Sequence, residues 1–339
     1  MVAVRTDSPD PSAIERAAQE LRSGRLVAFP TETVYGLGAV ATDRDAVAAV
    51  FRGKGRPATD PLIVHVPSVD AAREVVAVWP AAAQQLADSF WPGPLTLVLT
   101  RAGHIPPEVT AGGPSVAVRV PAHPVAAALL RAVARPVAAP SANRFGRVSP
   151  TTAEHVRAEL HGVYSLLLDA GATPLGVEST VVDLTGPVPR MLRPGGVTLE
   201  DLQAVLGEVH HVERSVAAED QATSSPGELL RHYAPTTPLV LVEGSADLRD
   251  HLAEALSAAG IEAAPLDLPV DAAEAARWLY AALRAADEGG ASVLLACTLD
   301  PSGLGRAVND RLFRAAHGRV VLDASEATVE RLRGLVAAS

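Results

Sequence analysis

Lysine is all but missing from this chain. Of 29 basic residues, Lys54 is the one lysine. Arginine supplies positive charge everywhere else, as in chains whose coding bias writes arginine wherever the two are interchangeable. They stop being interchangeable where a compact ammonium with three rotatable donors is needed instead of a flat fork, and this singles out Lys54 within the stretch FRGKGRP. Cysteine is equally scarce: Cys297 alone excludes an internal disulfide and fits a reducing compartment. Aromatic residues make up 4% of the chain, so its cores rest on Ala, Val and Leu and offer few platforms for stacked bases. There is neither a basic stretch leading into an apolar run at the N-terminus nor an apolar segment of about 18 residues, so a soluble cytoplasmic protein is expected. The ten histidines show no metal-ligand spacing with Cys297 or with each other, which argues against a protein-held zinc. A net charge of −10 argues against wrapping nucleic acid with the whole surface and leaves room for a local basic cleft.

What is present suggests two domains, since 339 residues exceed what one core usually serves and 48% apolar content supports two. PSAIERAAQELRSGR places Ile14, Ala17, Ala18 and Leu21 on one helical face and stops at Gly24. RLVAFP, PLIVHV, PLTLVLT, SVAVRVP, RPVAAPSAN, SLLLDAG and STVVDLT read as strands. Helices are expected at TDRDAVAAVFR, capped by Asp43 or Asp45, on both sides of Pro80, and near 123–134 and 151–161. Strands mixed with helices out of strict alternation imply an α/β fold with a twisted mixed sheet over 1–206. The polar stretch 207–236 reads as an interdomain linker. Regular βαβ alternation over 237–339 implies a smaller Rossmann-like parallel sheet.

GLGAVA at 36–41 matches a dinucleotide fingerprint, yet Asp43 and Asp45 stand where a pyrophosphate needs bare amides, so its glycines read as a tight turn. Gly53-Lys54 is followed by glycine instead of Ser or Thr, so it is no Walker A motif. Any nucleotide would be held by side chains. Arg52, Lys54 and Arg56 crowd what reads as one glycine-flanked loop, a place for an anion. Arg119 sits in a strand of alternating valines, where a charge must find a partner or a ligand, and His65 raises the same question. APSAN at 139–143 ends a strand with small polar groups. Thr151 and Glu154 form a capping box beside Ser149. Ser179 and Thr180 start a strand, and Pro-Gly-Gly after Arg193 is a rigid turn.

PTETVYGLGA, KGRP, PLIVHV, WPGPLTLVL, VAVRVPAHP, APSANRFGRVSPTTAEHV, GVESTVVDL and LRPG, in this order, resemble the YrdC-like L-threonylcarbamoyladenylate synthases. SPGELLRHYAP and, more loosely, GLGRAVNDRLFRAA resemble the two-domain form with an added C-terminal domain. The resemblance implies an enzyme that joins L-threonine, bicarbonate and ATP into threonylcarbamoyl-AMP and pyrophosphate. The product would feed threonylcarbamoylation of ANN-reading tRNAs through downstream transfer machinery, with direct tRNA binding weak and no membrane involved. It implies that Thr33, His65, Arg119, the backbone of Ala139, and Ser179 line a threonine site. Arg56, Asp60, Ser115, Ser141, Asn143, Ser149 and Arg193 would contact ATP, with Tyr233 closing over it. Lys54 and Arg56, with Mg²⁺ carried in on ATP, would neutralise the phosphates during transfer, and the linker would act as a lid. A double-stranded RNA or tRNA binding module is the rival reading. A carbamoyl-handling domain of hydrogenase maturation is another, although the acylphosphatase-like and zinc-finger segments of those proteins do not occur here.

Overall fold

The structure is a computed structural model and describes residues 2–5, 10–212 and 232–337. Most of the stretch read as linker and lid lies outside them. The chain divides into two compact units: Met1–Phe145 with Ser149–Leu229, and Gly146–Val148 with Leu230–Ser339.

In the first unit the strands are β1 (Val2–Arg5), β2 (Val27–Phe29), β3 (Gly36–Val40), β4 (Ile63–His65), β5 (Leu95–Thr100), β6 (Ser115–Arg119), β7 (Val137–Ala138), β8 (Leu166–Asp169), β9 (Thr180–Asp183), β10 (Arg190–Arg193) and β11 (His210–His211). The helices are α1 (Pro11–Arg22), α2 (Arg44–Lys54), α3 (Val69–Glu74), α4 (Ala81–Phe90), α5 (Pro124–Val133), α6 (Ala153–Leu160) and α7 (Leu199–Leu206). The strands form one sheet in the order β1-β8-β2-β3-β7-β4-β6-β5-β9-β10-β11. It is mixed: β4 runs parallel to β6 and β5 to β9, while β5 and β6 run antiparallel.

Period-two alternation sorts the side chains of this sheet. Val64, Leu97, Val118 and Val182 enter the large core on one face, under helices that include α2, α4 and α6. On the other face α1 and α5 cover one end, packing Leu21, Leu129 and Leu130 onto Val27, Phe29 and Val137. At the other end of that face Ile63, Val98, Ala117 and Val181 form a separate apolar cluster with Leu192, to which no helix among the described residues contributes. His65, Arg119, Thr96 and Ser179 lie two positions from these residues and share their face. The sheet thus carries a helix-free apolar floor ringed by polar side chains.

The local structure corrects four expectations. Gly36 and Gly38 lie inside β3 instead of a turn. The reason is space: a Cβ on Gly38 would stand 2.8 Å from Phe29 and 3.1 Å from Val137. Lys54 is the last residue of α2 instead of a loop residue, with left-handed Gly55 (φ 65°) ending the helix. Asp43 is that helix's N-cap, accepting from the amides of Asp45 and Ala46. The cap of α6 is Thr152, whose hydroxyl accepts from His155; Thr151, one residue earlier, turns inward and donates its amide to the His155 ring at 3.3 Å. His210 and His211, read as linker, form β11 parallel to β10.

The second unit holds β12 (Leu239–Val242), α8 (Ala246–Ala258), β13 (Ala263–Leu266), α9 (Ala272–Glu288), β14 (Val293–Cys297), α10 (Gly303–Ala315), β15 (Val320–Val321) and α11 (Glu326–Ala337). Its four strands are all parallel, in the order β13-β14-β12-β15. This is the small parallel sheet that the βαβ alternation implies. Among the described residues no helix is long and apolar enough to cross a membrane.

Gly38→Ala is expected to destabilise the first unit by roughly 1–3 kcal/mol, the usual cost of overpacking. Urea unfolding of the variant checks this.

Candidate active site

Short segments from distant parts of the first unit converge on the helix-free floor. The loop Thr31-Glu32-Thr33 is held by its own side chain: the Thr31 hydroxyl donates to the Val34 carbonyl at 2.6 Å and accepts from the Val34 amide at 3.2 Å. Backbone bonds lace this region to the APSAN segment, with Ala142 donating to Tyr35 and Leu37 to Pro140, both at 2.8 Å. The register of β4 on β6 then sets His65 opposite Arg119.

Arg119 is 3% exposed, and every nitrogen of its guanidinium has a partner. Nε donates to the Gly93 carbonyl at 3.2 Å, Nη1 to the Thr33 hydroxyl at 3.0 Å, and Nη2 lies 2.7 Å from the Glu32 carboxylate. Burial opposes the charge on Glu32, and Arg119 overcomes it, holding the carboxyl below its ordinary range. His65 is pushed down to about 3, first by burial and then by the charge of Arg119, so its ring is neutral at neutral pH. Its Nδ1 faces the Ile63 carbonyl at 3.2 Å. Across the floor the Ser179 and Thr96 hydroxyls share a 2.8 Å hydrogen bond, and Arg193 donates through Nη2 to the Ser179 carbonyl at 2.9 Å. Gly195 permits that approach, because a Cβ there would stand 2.4 Å from the backbone of Glu178–Thr180.

The basic residues of FRGKGRP separate. Arg52 is exposed on α2, whereas Lys54 is 2% and Arg56 7% exposed. The Lys54 ammonium donates to the carbonyls of Ser141 and Asn143, and the Phe145 amide returns a bond to the Lys54 carbonyl at 2.9 Å. Burial pushes the Lys54 ammonium well below its ordinary range, and the neighbouring Arg56 adds to the effect. Arg56 is oriented by the Asp60 carboxylate at 2.9 Å and by the carbonyls of Asp60 and Pro61. Asp60 thus turns its charge onto Arg56. Lys54, Arg56, Ser141 and Asn143 form one basic corner whose loop is tied down by the lysine.

Other expected residues fall elsewhere. The amide of Ala139 donates to Ile63 at 3.0 Å, so any backbone contribution it makes falls to its carbonyl. The Ser149 hydroxyl donates to Glu178 at 2.6 Å. Ser115 shares the Arg119 face but stands at the opposite end of β6, paired with Thr100, about 13 Å along the strand. Tyr233 is buried in the second unit with a left-handed φ of 63°, stacked on Tyr280 at 5.7 Å and beneath the Arg311 guanidinium at 5.3 Å. Among the described residues no cluster of three His, Cys, Asp or Glu side chains could hold a metal. Sequence reasoning missed Glu32, Glu178 and Thr96. The signal for Glu32 was there: it is the one charged residue in the run from Leu26 to Ala41.

The fold and the site together define an α/β core with a buried, partnered arginine beside a basic corner. Residues 19–195 match the Sua5_yciO_yrdC family, described as "Telomere recombination", and residues 197–317 match the family described as "Threonylcarbamoyl-AMP synthase, C-terminal domain". A protein of Bacillus subtilis named threonylcarbamoyl-AMP synthase is 41% identical, covering 91% of this chain and 94% of that protein. A Pyrococcus abyssi protein of the same name is 42% identical, over 91% and 95%. The crystal structure of P. abyssi Sua5 complexed with L-threonine superposes with a TM-score of 0.89 at 40% identity, covering 95% of this chain and 98% of that one. The chain belongs to the Sua5/YciO/YrdC family.

His65 yields a pH prediction. Its native pKa lies below the unfolded value, so the unfolded chain binds a proton that the native state refuses, and stability present above about pH 6.5 is lost as pH falls toward 3. His65→Asn should remove a loss of roughly 2 kcal/mol between about pH 7 and pH 5, measured as the shift in urea midpoint.

Proposed function

We propose that this protein joins L-threonine, bicarbonate and ATP into threonylcarbamoyl-AMP with release of pyrophosphate, supplying the adenylate for threonylcarbamoylation of ANN-reading tRNAs. The observation that carries the proposal is the buried Arg119, bonded to Thr33 and set opposite His65, on a sheet face that also carries an apolar floor and Ser179. The relatives named threonylcarbamoyl-AMP synthase and the threonine-bound Sua5 structure support it.

Arg119 takes the threonine carboxylate, Ile63 and Ala117 receive its methyl group, and the neutral ring of His65 and the hydroxyl of Ser179 address its polar atoms. The carbamate formed on the amine then attacks the α-phosphorus of ATP, the bond to the β-phosphate oxygen breaks, and pyrophosphate leaves. Lys54 and Arg56 neutralise the charge gathering on the phosphates, and Ser141, Asn143, Ser149 and Arg193 position them. Asp60 acts by aiming Arg56. Ser115 and Tyr233 carry their expected ATP contacts only as part of this proposal. Asn143 and Glu178 offer hard oxygen donors of the kind magnesium takes, which suits a metal that arrives bound to ATP and supplies charge neutralisation at its phosphates. The tRNA-modifying machinery is the acceptor of the product, and the chain's charge of −10 favours weak direct contact with tRNA at most.

Pyrophosphate release from ATP, with threonine and bicarbonate each supplied or withheld, tests the reaction. Release requiring both, together with a threonylcarbamoyl-adenylate mass, is expected; release independent of threonine overturns the proposal. Lys54→Arg should lower kcat on the order of 100-fold, the usual cost of removing an electrostatic donor, because a flat fork replaces the compact ammonium that bridges the Ser141 and Asn143 carbonyls. Arg119→Lys should raise KM for threonine roughly 10- to 100-fold through loss of charged hydrogen bonds; steady-state kinetics on the two variants separates the roles.

A further inference from the structure

We infer that Glu32 is the general base of the reaction, taking a proton from the threonine ammonium once the substrate carboxylate has claimed Arg119. The inference rests on the proposed function and deepens it. All three nitrogens of the Arg119 guanidinium are occupied, by Gly93, Thr33 and Glu32. These partners take three of the five N–H donors, and a carboxylate that settles on the guanidinium competes first with Glu32, the partner whose charge duplicates the newcomer's. An α-amino acid carries its ammonium one carbon from its carboxylate. Substrate held on Arg119 therefore presents that ammonium to the carboxylate it has just displaced, within the same few ångströms.

The chemistry needs such a group. Threonine's ammonium has no lone pair, so it must lose a proton before it attacks carbon. Unliganded, Glu32 is a poor base, because Arg119 holds it below the ordinary carboxylate range. Exchange of that guanidinium to the substrate removes the largest cause that lowers Glu32; the amides of Ala122 and of Glu32 itself still favour the charged form, while burial, which raises the proton affinity of a carboxylate, stays in full. The other groups whose charge couples to Glu32 are His65 on β4 and His123 at the start of α5. Burial keeps both below their ordinary range, so neither supplies a replacement cation. Glu32 takes one proton from the ammonium, and the freed amine forms the N–C bond to bicarbonate. The C–OH bond breaks, the departing hydroxide takes the second nitrogen-bound proton and leaves as water, and Glu32 returns its proton to solvent. Threonine binding thereby switches on its own base.

The test is the pH dependence of kcat for the full-length parent and Glu32→Gln, which keeps the shape and removes the basicity. At about pH 7 the variant is expected to lose roughly 100-fold in kcat, with a deficit that shrinks steadily toward pH 9.5 as free threonine amine becomes abundant. Glu32→Ala should regain activity on addition of formate, and thermal unfolding of each variant reports its folding. A Glu32→Gln enzyme with parental kcat and a lower KM for threonine would make Glu32 a plug that is merely displaced. A deficit independent of pH would make it a structural residue. Either result overturns the assignment while the synthase reaction stands, whereas a parent that releases no threonine-dependent pyrophosphate removes the proposed function itself.

Discussion

A guanidinium buried at the end of an interior strand must be compensated, and the compensation of Arg119 organises one face of the first unit's sheet. Its two hydrogen-bond acceptors and its ion-pair partner come from the 31–33 loop and from the turn before β5, segments far apart in the sequence and brought together by one cation. Solvent is nearly excluded, so each contact is stronger than it would be at the surface, and the same exclusion forces His65 to stay neutral.

The sheet that bears this corner is asymmetrically clothed. Helices seal one face and half of the other, while β4, β6, β5 and β9 keep a small apolar cluster that no described helix joins. The basic corner stands on a different support. Lys54 closes α2 and reaches to the carbonyls of Ser141 and Asn143, so a helix end and the loop after β7 are joined through one ammonium. Burial weakens that ammonium's hold on its proton. An arriving polyphosphate would reverse this, since its charge favours the protonated form.

Much of this was legible in the sequence. The alternation in SVAVRVP and PLIVHV announced strands with a charge and an imidazole on a core-like face, and the register of β4 on β6 sets the two opposite each other. The scarcity of lysine pointed to Lys54. Other features were not legible, for reasons of packing. That Gly36 and Gly38 belong to a strand depends on the ring of Phe29 across the sheet, and no local pattern encodes it. The one-residue shift of the α6 cap follows from Thr151 turning toward His155, a choice that two adjacent threonines leave open. Glu32 was passed over because a carboxylate between two threonines resembles ordinary turn chemistry until its partner is known.

The three residues Gly146–Val148 have a topological consequence. They lie in the chain of the first unit yet are counted with the second. There the Gly146 carbonyl accepts from Ala234 at 2.8 Å, and Arg147 meets Thr236 at 2.6 Å and Asp287 at 3.5 Å. The carbonyl of Val148 accepts from Arg284. The division between the units is therefore a splice, with one short thread exchanged, and no single cut in the polypeptide reproduces it. A chain severed after the first unit keeps the thread and loses everything the thread was bonded to. Ser149, the next residue, is one of those expected to meet the nucleotide, so the unbonded thread would lie one peptide bond from it.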